Sequence, residues 1–289
     1  MFVENFKDVV LVIGLARSGT SWLGKILESD PHVMYRYEPN NLKKCDLFIP
    51  LQQLIEKEGC TKKASAMLVD AFKGTALLKN AHTTGHKTPS KKLFMDLNLY
   101  PLTKLFPLIL SDRFFKLFYK NRGIKFVSKI VEFDWGIDWI SSALGRPKII
   151  FIIRHPCGNV LSYVEGKKYG MGKQGVEGWA KIWRSVHEEQ GLPDRVSIPN
   201  FKLVTYEALC LDPIEKSKEI FEFLNWDFTE KTKDFLLKST DRETDGYWGI
   251  RKDPVKTAFK WKENLAREEI EKIYSIVGDS KLMTLWDTP

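Results

Sequence analysis

The residues best equipped for chemistry lie just past the first apolar run. Gly14-Leu-Ala-Arg-Ser-Gly-Thr-Ser21 matches the phosphate-loop frame G-x-x-x-x-G-K-[ST] at both glycines and at its last residue, with Thr20 in the lysine position. Backbone N–H groups of such a loop, and of the helix that follows it, present donors and a partial positive charge that suit a phosphate. The lysine that would reach β- and γ-phosphates is missing, and the cation left in the loop is Arg17. This pattern argues against ATP chemistry and for a ligand whose 5′-phosphate bears one further group. An ordinary glycine turn between strand and helix is the plain alternative.

A second anion-binding candidate is Arg154-His-Pro-Cys-Gly-Asn-Val-Leu-Ser162. Arg154 ends the apolar run Ile149–Ile153, and Ser162 follows eight positions later, early in the next helical segment. Ligands of open α/β sheets bind outside the carboxyl ends of the strands, and a guanidinium fork with a hydroxyl suits a phosphate. Taken alone, an arginine after a strand is more commonly solvated or salt-bridged. A third basic segment, Gly249-Ile-Arg-Lys-Asp-Pro-Val-Lys-Thr-Ala-Phe-Lys-Trp261, reads as a loop before the last helix.

Arg17-Ser-Gly-Thr-Ser-Trp22 resembles the 5′-phosphosulfate loop of sulfotransferases that use 3′-phosphoadenosine 5′-phosphosulfate (PAPS). Asp30-Pro-His-Val-Met-Tyr-Arg-Tyr-Glu-Pro39 is similar to the segment after that loop in carbohydrate and tyrosylprotein sulfotransferases. The resemblance implies phosphosulfate contacts from Arg17 and the amides of Ser18, Gly19, Thr20 and Ser21, with Trp22 beside the adenine. Helix packing is the alternative for Trp22. The resemblance further implies that Arg154 and Ser162 grip the 3′-phosphate. Arg251 and Lys252 match the Arg-Lys dipeptide of cytosolic members, with Asp253 standing where those have glycine, while Val255-Lys-Thr-Ala258 and Trp261 read more like carbohydrate members. Tyr206, in Thr-Tyr-Glu-Ala-Leu, sits where the family places a tyrosine near adenine.

Sulfuryl transfer to an alcohol needs a base for the hydroxyl proton, cations near the leaving phosphate oxygen, and in-line placement of both partners. Glu38 lies 21 positions after Arg17, as the resemblance implies for the glutamate base of tyrosylprotein sulfotransferases. Pairing with Arg36 is the alternative. Arg17 neutralises charge on the departing phosphate, and Lys87 in His86-Lys-Thr-Pro89 resembles the segment that lends a second cation in relatives. Lys129 is the other candidate, although a lysine at a strand end more often faces solvent. No metal is expected. His82 and His86 flank Gly85, and Cys45, Cys60, Cys157 and Cys210 form no C-x-x-C pair.

The elements that must position these groups alternate. Val9–Ile13, Lys125–Val131, Ile149–Ile153 and Phe201–Tyr206 are short apolar runs of the kind found in strands covered on both faces. Between and after them come helical spacings at Thr20–Ser29, at Val176, Trp179, Trp183 and Val186, after Asp212-Pro213, and at Ile270, Ile273, Tyr274 and Val277. The fold class is therefore α/β: a P-loop-like open parallel sheet flanked by helices. Residues from about 42 to 120 carry helical patterns, such as Leu51–Lys57 and Phe114–Lys120, and no clear strand, and read as a mainly helical substrate-side insertion in a single domain spanning 1–289.

The totals agree and exclude little. At 289 residues and 43% hydrophobic the chain can bury one large core, and a net charge of +8 suits an anionic partner without naming it. No apolar run approaches the roughly 20 residues that cross a bilayer. Glu4 and Asp8 fall where a secretory leader would be basic and then apolar, so no signal peptide is expected and the location reads as cytoplasmic. The expected activity is sulfuryl transfer from PAPS, the co-substrate, to a hydroxyl-bearing acceptor, a glycan before other small molecules, with no nucleic acid and no membrane span. A P-loop kinase or nucleoside-phosphate transferase is the alternative, opposed by Thr20 and by the lack of an evident acidic magnesium ligand. A non-catalytic nucleic-acid binder is the third reading, and the clustering of basic residues at two phosphate sites argues against it.

Overall fold

The structure, a computed structural model, describes residues 9–38, 49–76, 125–131, 136–166, 174–188, 192, 199–240 and 253–286. Strands β1 (Val9–Ile13), β2 (Val33–Tyr37), β3 (Lys125–Ile130), β4 (Lys148–Ile153) and β5 (Phe201–Thr205) form one open sheet in the order β2-β3-β1-β4-β5. The chain divides into two compact units, Met1–Leu11 with Asp30–Lys148 and Val12–Ser29 with Ile149–Pro289.

In the first unit β2 and β3 run parallel, in a register that sets Val33 opposite Lys125 and Tyr37 opposite Lys129. Buried Asp30 starts the pairing: its Oδ1 accepts the His32 amide at 2.8 Å, and its Oδ2 takes the Lys125 ammonium at 3.1 Å. The sequence did not read as a strand here, because Pro31 precedes it and Arg36 interrupts the apolar pattern. Helices α2 (Ile49–Glu58), α3 (Lys62–Ala76) and α4 (Ile137–Ala143) complete the unit, burying Leu51 and Leu54, then Leu68 and Phe72, then Ile137 and Ile140 at helical spacing. The Trp139 indole of α4 donates to the Ser65 hydroxyl of α3 at 2.9 Å.

In the second unit β4 and β5 run parallel from Ile149 opposite Phe201 to Ile153 opposite Thr205. The run Ile149–Ile153 is buried throughout, as a central strand with helices on both faces requires. Helix α1 (Thr20–Glu28) follows the phosphate loop, and α5 (Pro156–Gly166) follows β4. Helix α6 (Val176–Glu188) buries Trp179, Ala180, Trp183 and His187 as one stripe. Tyr206 begins a helix, α7 (Tyr206–Leu211), instead of ending β5, because Thr205 caps it by accepting from the Ala208 amide. Helix α8 (Pro213–Leu224) starts with Asp212 capping the Glu215 amide and proline at the first position. After α9 (Glu230–Thr240), the expected loop before Trp261 is instead helical from residue 254. Asp253 caps α10 (Pro254–Phe259) by accepting the Lys256 amide at 2.9 Å, and α11 (Trp261–Asn264) follows. Helix α12 (Arg267–Val277) and a 3-10 turn over Lys281–Trp286 close the described chain.

Among the described residues no helix is long and apolar enough to cross a membrane, and no group of three or more His, Cys, Asp or Glu is placed to hold a metal ion. The insertion expected at 42–120 is described only over α2 and α3, and Phe114–Lys120 lies outside the described residues.

Candidate active site

The phosphate loop owes its shape to two glycines and one strained arginine. A Cβ on Gly14 would sit 2.4 Å from the Ile152 carbonyl oxygen, so the loop leaves β1 through a gap that only glycine fits. Gly19 has φ 91°, and a Cβ there would meet Tyr206 Cδ2 at 2.4 Å. Arg17, with φ 72°, holds a left-handed conformation that costs a non-glycine residue about 1–3 kcal/mol. The Ser18 amide donates to the Leu15 carbonyl at 3.1 Å within the loop, and the Thr20 side chain is buried against Gly14. Leu23 is the residue whose amide closes the first helical bond, to the Gly19 carbonyl at 3.1 Å. The amides before it lie at the positive end of α1, where an anion is stabilised.

Arg154, 6% exposed, is pinned against this loop. One terminal nitrogen donates to the Arg17 carbonyl at 3.1 Å, the other to the Thr257 carbonyl of α10 at 2.8 Å, and the guanidinium carbon lies 4.7 Å from the centre of the Tyr206 ring. The Arg154 Nε–H is buried without a hydrogen-bond partner. Such an orphan carries a desolvation cost of about 1–3 kcal/mol or more that an incoming anionic oxygen offsets. Ser162 of α5 accepts from Arg17 Nε at 3.1 Å, so the two cationic residues and the hydroxyl named by the sequence converge. Tyr206 packs between Gly19 and Arg154, and burial drives its hydroxyl far above its ordinary pKa, which keeps it neutral. Trp22 stands edge-on to Tyr206 at 6.3 Å and its indole donates to Ser239 of α9 at 3.4 Å, contacts that account for its burial by packing.

Around Arg154 the chain builds an aromatic brace. His155 stacks on Trp261 at 4.5 Å with the rings 5° from parallel, its amide donates to Glu207 Oε1 at 3.1 Å, and Glu207 Oε2 accepts from Trp286 at 2.8 Å. The Trp183 indole donates to the Arg154 carbonyl at 2.9 Å. Burial, helped by Lys262 and Arg154, holds His155 down to about 3, so the ring is neutral, and desolvation raises the Glu207 carboxyl. Gly158 leaves room for the arginine: a Cβ would come 3.0 Å from Arg154 Nε and 3.3 Å from the Trp261 ring. This brace is not legible in the sequence, where Trp183 reads as a core aromatic, Trp261 as part of a basic loop and His155 only as the residue after Arg154. Asn159, buried on α5, also escaped notice, and its amide nitrogen reaches the Ala16 carbonyl at 3.0 Å and the Ser18 hydroxyl at 3.2 Å.

In the first unit Glu38 follows β2 with φ 47°, and its amide donates to the Lys129 carbonyl at 3.1 Å. Its carboxylate accepts the Lys129 ammonium at 2.8 Å, in a pair whose side chains are 11% and 3% exposed. Lys129 is thus buried rather than solvent-facing, and Tyr37 lines the pair with its ring centre 3.9 Å from the ammonium. The register of β2 on β3 produces this pair, since Tyr37 faces Lys129 and Glu38 is the next residue. Lys87, Arg251, Lys252, His82 and His86 lie outside the described residues.

The second unit carries a phosphate loop without its lysine and a buried arginine with an unpartnered N–H, and the first unit carries a buried carboxylate–ammonium pair. A sequence model of the sulfotransferase family matches residues 9–230. No curated protein matches the sequence at a significant level. Among solved structures, mouse sulfotransferase SULT7A1 complexed with PAP is similar at 10% identity and TM-score 0.53, over 96% of this chain and 88% of that one. The sulfotransferase domain of the Synechococcus PCC 7002 olefin synthase is similar at 16% identity and TM-score 0.51, over 97% and 95%. Both likenesses are of fold. With the family match running from β1 to the start of α9, this chain belongs to the PAPS-dependent sulfotransferase family and is a sulfuryl-transferring enzyme.

Proposed function

We propose that the enzyme transfers the sulfuryl group of PAPS to a hydroxyl of a carbohydrate acceptor by in-line displacement, with Glu38 as general base. The observation that carries the nucleotide side is Arg154, buried beside the phosphate loop with one guanidinium N–H unpartnered. Bound there, PAPS supplies the sulfuryl group and a good leaving phosphate. Arg154 and Ser162 hold the 3′-phosphate, and the amides at the start of α1 with Arg17 hold the 5′-phosphosulfate and stabilise charge on its bridging oxygen. The placing of Trp22 and Tyr206 beside the adenine rests on the sequence resemblance, with Trp22 also packed on Tyr206 and Ser239. The reading that Arg251, Lys252 and Lys87 join them rests on the sequence resemblance.

On the acceptor side Glu38 takes the hydroxyl proton, and Lys129 orients its carboxylate through the 2.8 Å pair and supplies the second cation. The left-handed turn at Glu38 fixes where that carboxylate points. A glycan acceptor rests on the likeness of the Tyr-Glu-Pro and Val-Lys-Thr-Ala segments to carbohydrate members.

Isothermal titration with adenosine 3′,5′-bisphosphate (PAP), and in parallel with ADP plus magnesium, tests the nucleotide. The bisphosphate binds and ADP with magnesium does not. The reverse preference would overturn this reading in favour of a kinase. Transfer of labelled sulfate from PAPS to oligosaccharides, but not to phenols or sterols, tests the acceptor.

A further inference from the structure

The two halves of the nucleotide reading are tied together by one side chain that neither half requires. Asn159 projects from α5, the helix that carries Ser162, into the phosphate loop. It is fully buried. Its Nδ2 donates to the Ala16 carbonyl at 3.0 Å and to the Ser18 hydroxyl at 3.2 Å, one residue on either side of the strained Arg17. The amide orientation follows from chemistry, since a carbonyl oxygen can only accept and the nitrogen must face it. Its Oδ1 has no partner. A buried amide that leaves its acceptor unsatisfied yet spends its donor twice on one loop is placed for the loop.

We infer that Asn159 is a positioning residue that holds the phosphate loop in its 5′-phosphosulfate-binding shape. Arg17 lies in a left-handed conformation between two residues that Asn159 grips, so releasing the amide lets the loop relax toward ordinary backbone angles and withdraws the α1-end amides and Arg17 from the 5′ group. The 3′-phosphate side meets the loop at Arg17, whose carbonyl accepts from one Arg154 terminal nitrogen and whose Nε donates to Ser162. Arg154 keeps its bond to the Thr257 carbonyl and its contact with the Tyr206 ring when the loop relaxes, since neither passes through Asn159 or Arg17. Asn159 therefore acts more on the 5′ end of the nucleotide than on the 3′ end, and it touches no reacting atom.

This inference rests on the nucleotide reading above, and the test separates the two. Titrate wild type, Asn159→Ala and Ser18→Ala with PAP and with adenosine 3′-phosphate, which lacks the 5′ group. Asn159→Ala weakens PAP at least ~10-fold, about the loss of one buried hydrogen bond, and adenosine 3′-phosphate less than about twofold. Ser18→Ala, which removes one of the two acceptors and leaves a small apolar residue, weakens PAP a few-fold with the same selectivity, and this milder variant decides the matter if Asn159→Ala does not fold. Equal weakening of both ligands marks a merely structural role and overturns the inference, as does unchanged PAP affinity. Wild type that binds neither ligand overturns the nucleotide reading itself.

Discussion

Glu38 can act as a base only if something holds it where its turn puts it, and Lys129 does so from the neighbouring strand. Glu38→Gln keeps the shape and removes the proton acceptor. It lowers kcat by about 10²-fold or more and leaves the PAP dissociation constant within about twofold, as stopped-time sulfate transfer and titration will read. Lys129→Met strands a buried carboxylate and lowers unfolding free energy by about 3–5 kcal/mol in urea titrations. Gly19→Ala combines a left-handed φ with a 2.4 Å collision against Tyr206, so it loses both stability and PAP affinity, and Tyr206→Ala in the same chain restores part of the stability. These roles differ in legibility. That Arg17, Arg154 and Ser162 come together follows from positions after β1 and β4 that the sequence shows, whereas the Glu38 partner is hidden, because Arg36 is near in sequence and Lys129 comes from 91 positions away.

Two helices begin with the same dipeptide and illustrate how a cap acquires a second duty. Asp212-Pro213 caps α8, and Asp253-Pro254 caps α10 in the same way. Asp212→Ala costs about 1 kcal/mol of stability and leaves nucleotide affinity unchanged. Asp253→Ala costs a similar amount and also weakens PAP, because α10 carries the Thr257 carbonyl that holds Arg154. Thermal unfolding with and without PAP distinguishes the two. The sequence showed the first cap and, by the same rule, could have shown the second. Resemblance to a loop in other sulfotransferases masked it, although Asp253 in the place of glycine is the residue that starts the helix. Strand β2 was missed for a different reason: a five-residue edge strand after proline, with arginine inside it, has no pattern that separates it from a turn. The buried strands and amphipathic helices were legible because each carries its burial in its own period.

At the scale of the whole molecule, acid is the weak side. His187 is fully buried, donates Nδ1–H to the Trp183 carbonyl at 2.6 Å, and is held down to about 4, as His155 is to about 3. Both titrate near 6.5 when unfolded, so the unfolded chain binds more protons below that pH. Their stabilisation is fully present above pH 6.5 and is lost as pH falls toward 4, at up to about 1.4 kcal/mol per pH unit for each ring. Glu207, raised by burial, has the opposite sign and favours the native state as its proton is taken up. Urea midpoints at pH 7 and pH 5 will show a drop, smaller in His187→Gln. The fork of Arg154 adds a consequence in time. Its two carbonyl partners lie 137 positions before it and 103 after it in the chain. During synthesis, which runs from the N-terminus, the phosphate loop and its arginine are made long before the residue that closes the fork. A nascent chain therefore cannot close the Arg154 fork until residue 257 has emerged, and if that fork holds the nucleotide as proposed, PAP added to stalled ribosomes will protect chains from protease only beyond that length.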